Sequence, residues 1–309
     1  MDGTRGRVGV LLMGYGSPSG PEDLPGYLTE VMHGRRPSED TVAEYVRRYE
    51  RIGTSPQARI LRSLRERLEA RLAATGRDWP VYLGMKHWTP RIAEVVEQAR
   101  REGIRRLIAV PLSPYDALWI MEPYRAGIEE ARRATDGAVA IDLRPGWHLD
   151  PHWIGYWARE IGSTLARVGD PTAAVLISAH SLPQRFRDRG DPYPELVRAT
   201  ADAVAAAAGL ERWAFTYQSP GNTTEPWLGP LIEEVAAHWQ ARGARSVVLA
   251  STGFVFDHLE TLYDLDVVAR EGLEGRGIRY HRVPQPNDAP EIVEALAARV
   301  ETPPPAAVS

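Results

Sequence analysis

Residues 173–183 read AAVLISAHSLP. Five consecutive apolar residues, 173–177, have the pattern of a strand buried on both faces, as in a parallel sheet. The run breaks at Ser178-Ala179-His180-Ser181, and Pro183 bars a simple continuation. Open α/β sheets bind ligands just beyond the carboxyl ends of their strands, which is where His180 falls. Position alone leaves His180 balanced between a capping or loop histidine and a functional one.

Outward from this stretch, composition narrows the classes. The chain has 309 residues, enough for two ordinary domains or one large α/β unit. A hydrophobic share of 43% and a charged share of 25% are ordinary for a soluble globular protein. Apolar runs are too short to cross a bilayer, and residues 1–7 lead straight into a strand without a signal pattern. With no cysteine there is no disulfide, thiolate metal site or iron–sulfur cluster, so any metal needs His, carboxylate, Tyr or water. These features fit the cytoplasm. A net charge of −4 argues against a nucleic-acid partner but leaves room for an anionic small substrate at a local basic patch. Lys86 is the only lysine, which we read chiefly as genome composition.

The chain alternates predicted strands and helices. A strand at 8–13 runs into Gly14-Tyr15-Gly16-Ser17-Pro18. Gly14, Gly16 and Gly20 imitate a dinucleotide loop, but the third glycine is one residue late and Pro18 and Pro21 interrupt the helix that should follow. Helices are expected at 25–33, 39–52, 56–74, 91–102 and 123–134, and strands at 81–85, 107–112 and 139–143. The arginines of 39–52 read as a mostly solvated face. The order then repeats: WTPRIAEVVEQARREGIRRLIAVPLSP from Trp88 parallels WLGPLIEEVAAHWQARGARSVVLASTGF from Trp227, and 8–18 parallels 175–183. This predicts an α/β fold of two similar Rossmann-like lobes, each a parallel sheet flanked by helices, with a ligand cleft between them. The lobes are expected at 1–148 and 149–289. The helix at 290–300 is a candidate to return to the first lobe, and the Pro/Ala-rich tail 301–309 reads as disordered.

In the duplicated register, Tyr15 and His180 fall at equivalent strand ends. The strand at 246–250 leads to Asp257, His258, Glu260 and Asp264. If 257–268 is α-helical, Asp257, Glu260 and Asp264 share one face. That stripe is either a solvated helix surface or a site, and its start at a strand's carboxyl end favours the second. Imidazole with carboxylate admits a site for Fe²⁺, Zn²⁺ or Mn²⁺, or proton transfer with His180 as base and Glu260 tuning it. A reaction that delivers a cation while removing protons would use both.

Ser178-Ala179-His180-Ser181-Leu182-Pro183, Tyr217-Gln218-Ser219 through Pro226-Trp227-Leu228-Gly229-Pro230, and Gly253-Phe254-Val255 with Asp257-His258-Leu259-Glu260 together resemble ferrochelatase. The resemblance extends over 8–300. It implies a chelatase-like pair of lobes and insertion of Fe²⁺ into a porphyrin in haem biosynthesis, with iron as substrate and no permanently bound cofactor. It implies His180 and Glu260 as the insertion pair, Tyr15 as axial ligand of product iron, and Arg48, Tyr49, Ser55 and Tyr124 as macrocycle or propionate contacts. Asp264 would belong to an outer metal relay.

Gly221-Asn222-Thr223 is similar to the soluble bacterial members that act on coproporphyrin III, and the chain lacks the cysteine-bearing extension and membrane-binding lip of mitochondrial members. Met32 replaces an arginine common in those bacterial relatives, and Val268 replaces a further carboxylate of the acidic helix. Walls such as Trp88 and Trp119 would hold the ring distorted so that its two pyrrole protons can leave. Product haem implies a transient contact with a haem-accepting protein. The rivals are a protoporphyrin IX enzyme, a cobalt or nickel tetrapyrrole chelatase, and a non-catalytic haem carrier.

Overall fold

The computed structural model describes residues 7–221 and 223–302. Asn222 of the subtype motif and the expected tail from residue 303 onward lie outside the described residues. Among the described residues, eight strands form two four-stranded parallel sheets. The first joins β1 (Arg7–Gly14), β2 (Val81–Met85), β3 (Ile104–Pro111) and β4 (Ala140–Leu143) in the order β2-β1-β3-β4. The second joins β5 (Ala174–His180), β6 (Trp213–Gln218), β7 (Ser246–Ser251) and β8 (Arg279–Arg282) in the order β6-β5-β7-β8. The two orders are the same plan used twice.

Helices α1 (Leu24–Val31), α2 (Glu39–Ile52) and α3 (Gln57–Ala74) connect β1 to β2, and α4 (Ile92–Arg101) and α5 (Leu118–Ala134) complete the first lobe. After α6 (Pro151–Val168), helices α7 (Gln184–Asp188), α8 (Tyr193–Ala207) and α9 (Ile232–Ala241) flank the second sheet. A ten-residue π-helix (Glu260–Ala269) continues into α10 (Arg270–Glu274), and α11 (Pro290–Glu301) ends the described chain.

Period-2 side-chain alternation explains why the strands read as unbroken apolar runs. In β1, Leu11 and Met13 enter a core with α4 and α5, while Val10 and Leu12 enter another with α3. In β5, Leu176 packs with α9 and α10, while Val175 and Ile177 enter the same large core as Val10 and Leu12. Trp153 and Trp157 of α6 and Ile292 and Leu296 of α11 fill that shared core. Helix α11 lies against both α3 and α6, with Arg71 of α3 donating to Glu294 at 2.8 and 2.9 Å.

The duplication extends to hydrogen bonds. Met85 N–H donates to Pro90 O and Tyr217 N–H to Pro230 O, each at 2.8 Å. One residue later in each lobe, the N–H of Arg91 or Leu231 donates to the glutamate three positions on, Glu94 at 2.8 Å and Glu234 at 2.9 Å. Met85 pairs with Gly14 and Tyr217 with Ala179, so the next residues, Tyr15 and His180, are structurally equivalent.

Two expectations need correction. Strand β5 does not break at Ser178 but runs through His180, because Ala179 and His180 keep pairing with Tyr217 and Gln218. Helix α5 begins at Leu118, with Pro123 inside it. The early turn is held by Asp191, whose carboxylate accepts the Trp119 N–H at 2.8 Å, and a proline this near the start forfeits only one ladder bond.

Candidate functional site

The carboxyl ends of both sheets open into one cavity of about 920 Å³. The turn after β1 contributes Gly14 to Ser17. Gly16 has φ +100°, and a Cβ there would lie 2.8 Å from Trp88 Cβ, so the turn demands glycine to lie against Trp88 rather than to cradle a nucleotide. On the other side, the loop after β7 crosses β5 so closely that a Cβ on Gly253 would sit 2.9 Å from Ala179 Cα. This brings Phe254 and the π-helix up to His180. Helices α1 and α2 cover the cavity, Trp119, Ile120 and Tyr124 of α5 line it, and Glu260, Tyr263, Asp264 and Val268 present one π-helical face to it.

Eight of the chain's twelve tyrosines line this space: Tyr15, Tyr27, Tyr45, Tyr49, Tyr124, Tyr193, Tyr217 and Tyr263. Large flat walls with polar tips suit a flat aromatic ligand bearing polar substituents.

At the β5 end, His180 Nδ1 lies 2.5 Å from Ser181 O. A carbonyl can only accept, so Nδ1 carries a proton; in the neutral imidazole the lone pair then sits on Nε2, 3.7 Å from a Glu260 carboxylate oxygen. His258 Nε2 stands 3.7 Å from the same oxygen, with the Phe254 ring 4.4 Å from the His258 ring. Burial pushes the His258 pKa down despite Glu260 and Asp257, so it is a neutral neighbour. Among the described residues, no group of three or more His, Asp or Glu is arranged to hold a metal by itself. A cation in this cavity would need donors from its ligand or water besides the His180–Glu260 pair.

Across the lobe boundary, Tyr15 is part of the cavity wall, and the residue as a whole is 39% exposed. Burial first, then Glu260, raises its phenol far above the ordinary range, so it is protonated at neutral pH. Lys86 Nζ lies 4.6 Å from the Tyr15 ring centroid and 4.9 Å from that of Tyr124. Burial lowers its pKa to about 8, with Glu260 opposing the shift. Arg48 pairs with Glu44, reaches Asp264 at 3.8 Å, and lies 5.2 Å from both the Tyr45 and Tyr263 rings. Burial raises the Asp264 pKa, and Glu260 adds to this, while Ser219 and Arg48 counter it.

The structure therefore brings Tyr15, Arg48, Tyr49, Tyr124, His180, Glu260 and Asp264 together. It does not bring in Ser55, which is not part of the wall; its hydroxyl accepts the Gln57 N–H at 3.4 Å at the start of α3. Trp119 is a wall, but Trp88 packs behind Gly16 and Gly26. The acidic stripe also changes membership. In a π-helix, hydrogen bonds from i to i+5 widen each turn, so residues four apart stack. Glu260, Asp264 and Val268 thus form the stripe; Asp257 precedes the helix, and its carboxylate turns to Arg282 and Asn287. The sequence reading gave no site role to Lys86 or to Tyr27, Tyr45, Tyr193 and Tyr263. The signal for Lys86 was its being the sole lysine, directly after a strand.

A family model described as Ferrochelatase matches residues 7–303. The coproporphyrin III ferrochelatase of Halalkalibacterium halodurans is 36% identical over 303 residues, covering 96% of this chain and 97% of the relative. That of Anoxybacillus flavithermus is 36% identical over 300 residues, covering 95% of each. Among solved structures, SirB from Bacillus subtilis with Fe³⁺ superposes with a TM-score of 0.59 at 14% identity, covering 95% of this chain and 94% of that one. At that identity it bears on the fold alone.

Proposed function

The chain belongs to the ferrochelatase family, and from that premise we propose that it inserts Fe²⁺ into coproporphyrin III, releasing two protons. The observation that carries the reading is the free Nε2 of His180, 3.7 Å from Glu260, in a tyrosine-lined cavity that also holds Tyr15.

Insertion replaces two pyrrole N–H bonds by bonds to iron, so two protons must leave as the cation enters. A neutral imidazole whose Nδ1–H is already committed to Ser181 O has one lone pair to offer, and it points into the cavity. His180 accepts a pyrrole proton there, and Glu260 stabilises the imidazolium and passes the proton outward. With two titratable groups side by side, each proton can clear before the next arrives. Tyr15, a neutral phenol in the free protein, would offer its phenol oxygen as a donor to the product iron. Aromatic walls from both lobes hold the ring, and binding energy from its substituents distorts it.

Coproporphyrin, with four propionates, gains more from Arg48 and Lys86 than a ring with two, each charge-assisted contact contributing about 1.5–3 kcal/mol. The names of the similar bacterial enzymes support the same choice. Met32 stands at the C-cap of α1, outside the cavity wall, and offers no anchor. No helix among the described residues is long and apolar enough to cross a membrane; a cytoplasmic site and transfer of product to a haem-accepting protein belong to the same proposal.

The test is anaerobic incubation with Fe²⁺ and either coproporphyrin III or protoporphyrin IX, followed optically. The reading predicts turnover with Fe²⁺ and a higher kcat/KM for coproporphyrin. Preference for protoporphyrin would overturn the substrate assignment, faster insertion of Co²⁺ or Ni²⁺ would reassign the metal, and tight haem binding without turnover would leave a carrier.

A further inference from the structure

Glu260 is carried on an uncommon element. A π-helix of ten residues is rare, and such segments normally survive only as single turns within α-helices. This one needs a fastening, because relaxation toward an α-helix would spread its residues over a greater axial length and shift Glu260 along the cavity wall. The fastening lies on the side away from the cavity.

Arg282, at the carboxyl end of β8, donates from Nε to Asp266 Oδ1 at 2.7 Å and from Nη2 to Asp266 Oδ2 at 2.8 Å. The same Nη2 donates to Asp257 Oδ1 at 3.0 Å. Asp257 is fixed a second time by Asn287, which donates to its Oδ2 at 2.8 Å and accepts its backbone N–H at 2.8 Å. Arg282 keeps only 11% of its side chain exposed, and none of these four residues lines the cavity. Asp257 and Asp266 are nine positions apart in sequence and bracket Glu260, yet one guanidinium touches both. A π-helix packs more residues into a given axial length than an α-helix. The fork therefore ties Asp257, three residues ahead of the π-helix, to Asp266 within it, and fixes the axial length between them.

We propose that Arg282 is a positioning residue for metal insertion. It is a strut that fixes the winding of the π-helix and so holds Glu260 against His180 Nε2 with Asp264 one turn further out. This rests on the insertion reading for its kinetic arm, but the strut itself is tested without it. A lysine cannot replace the fork, since a single ammonium lacks the planar array that meets one carboxylate bidentately and another at the same time.

The experiment compares wild type, R282Q, R282K, D266N and R282Q/D266N. Amide hydrogen exchange, read over 257–269, should speed by on the order of tenfold in R282Q while the sheets keep their protection. For iron insertion into coproporphyrin III, R282Q should lower kcat by on the order of 10–100-fold, the cost of a misplacement near one ångström, with KM for the porphyrin within about threefold. R282K should fall between, and R282Q/D266N should be no slower than R282Q, because both substitutions remove one strut. Wild-type exchange and wild-type kcat in R282Q would overturn the strut, as would additive losses in the double variant. If R282Q does not fold, D266N carries the same two readouts. If wild type inserts no iron at all, the insertion reading fails and exchange alone decides the strut.

Discussion

The two lobes keep one strand order and differ in what they place at equivalent points of it. After β1 and β2 the first lobe presents Tyr15 and Lys86; at the same register the second presents His180 and Gln218. After β3 the chain becomes an α-helix whose cavity side is Trp119, Ile120 and Tyr124. After β7 it becomes a π-helix whose cavity side is Glu260, Asp264 and Val268. Backbone positions were retained while the chemistry was divided. One lobe supplies walls, a cation and a neutral phenol; the other supplies a free imidazole lone pair and carboxylates.

This division is most directly broken at His180. His180→Ala should reduce insertion by about a thousandfold or more, as loss of a general base does, while porphyrin binding measured by fluorescence stays within about tenfold. Near wild-type turnover would move the proton chemistry out of the second lobe. A second substitution sharpens the contrast by extending the acidic face. Val268 lines the cavity beyond Asp264 and is 50% exposed, so Val268→Glu adds a carboxylate to the stripe. Calorimetric binding of Mg²⁺ or Co²⁺ should tighten by roughly one to two orders of magnitude, and Asp264→Ala should weaken it. If neither variant changes binding, the π-helical stripe is merely a solvated face.

Lys86 tests the first lobe. As pH rises through about 8 it loses its charge, so affinity for the anionic porphyrin should drop about tenfold across that range, and Lys86→Met should abolish the step. The stability effect has the opposite sign. The folded protein binds this proton less tightly than the unfolded chain, whose lysine has the ordinary value of 10.5, so this residue makes the fold more stable as pH climbs from about 8 to 10.5. Denaturant titrations of wild type and Lys86→Met at both ends of that window check it. The smallest kinetic effect belongs to Tyr15. Tyr15→Phe should change the insertion rate by less than about tenfold but shift the absorption spectrum of bound product, because an oxygen ligand is lost. An unchanged spectrum would remove Tyr15 from the iron.

Much of this contrast was legible from residue order. Apolar runs buried on both faces marked the strands, and the parallel of 8–18 with 175–183 put Tyr15 and His180 at matching ends. What failed were local windings that the sequence does not encode by itself. An α-helical period put Asp257 on the stripe, whereas the helical segment starts beyond Asp257, whose carboxylate is held by Arg282, sixteen positions beyond Asp266. Pro123 suggested a helix start, but Asp191 from the other lobe caps an earlier turn. Ser55 came from the family resemblance, and here its hydroxyl accepts the Gln57 N–H just ahead of α3. The tyrosine lining was invisible because its members come from seven separate elements and loops that meet only in three dimensions.

The large core that takes Val10 and Leu12 from one sheet also takes Val175 and Ile177 from the other, bound together by α6 and α11. The repeat in the sequence is therefore not a repeat in thermodynamics. Neither half owns the apolar surface needed to fold alone, so heat should melt the pair in one cooperative transition, and a fragment ending after β4 should not stand as a domain. By contrast, α2 buries none of its residues; it meets the π-helix through Arg48, paired with Asp264, and α10 through Arg51, paired with Glu271. Opening at the cavity is thus cheap and local, and it leaves the common foundation of both sheets intact.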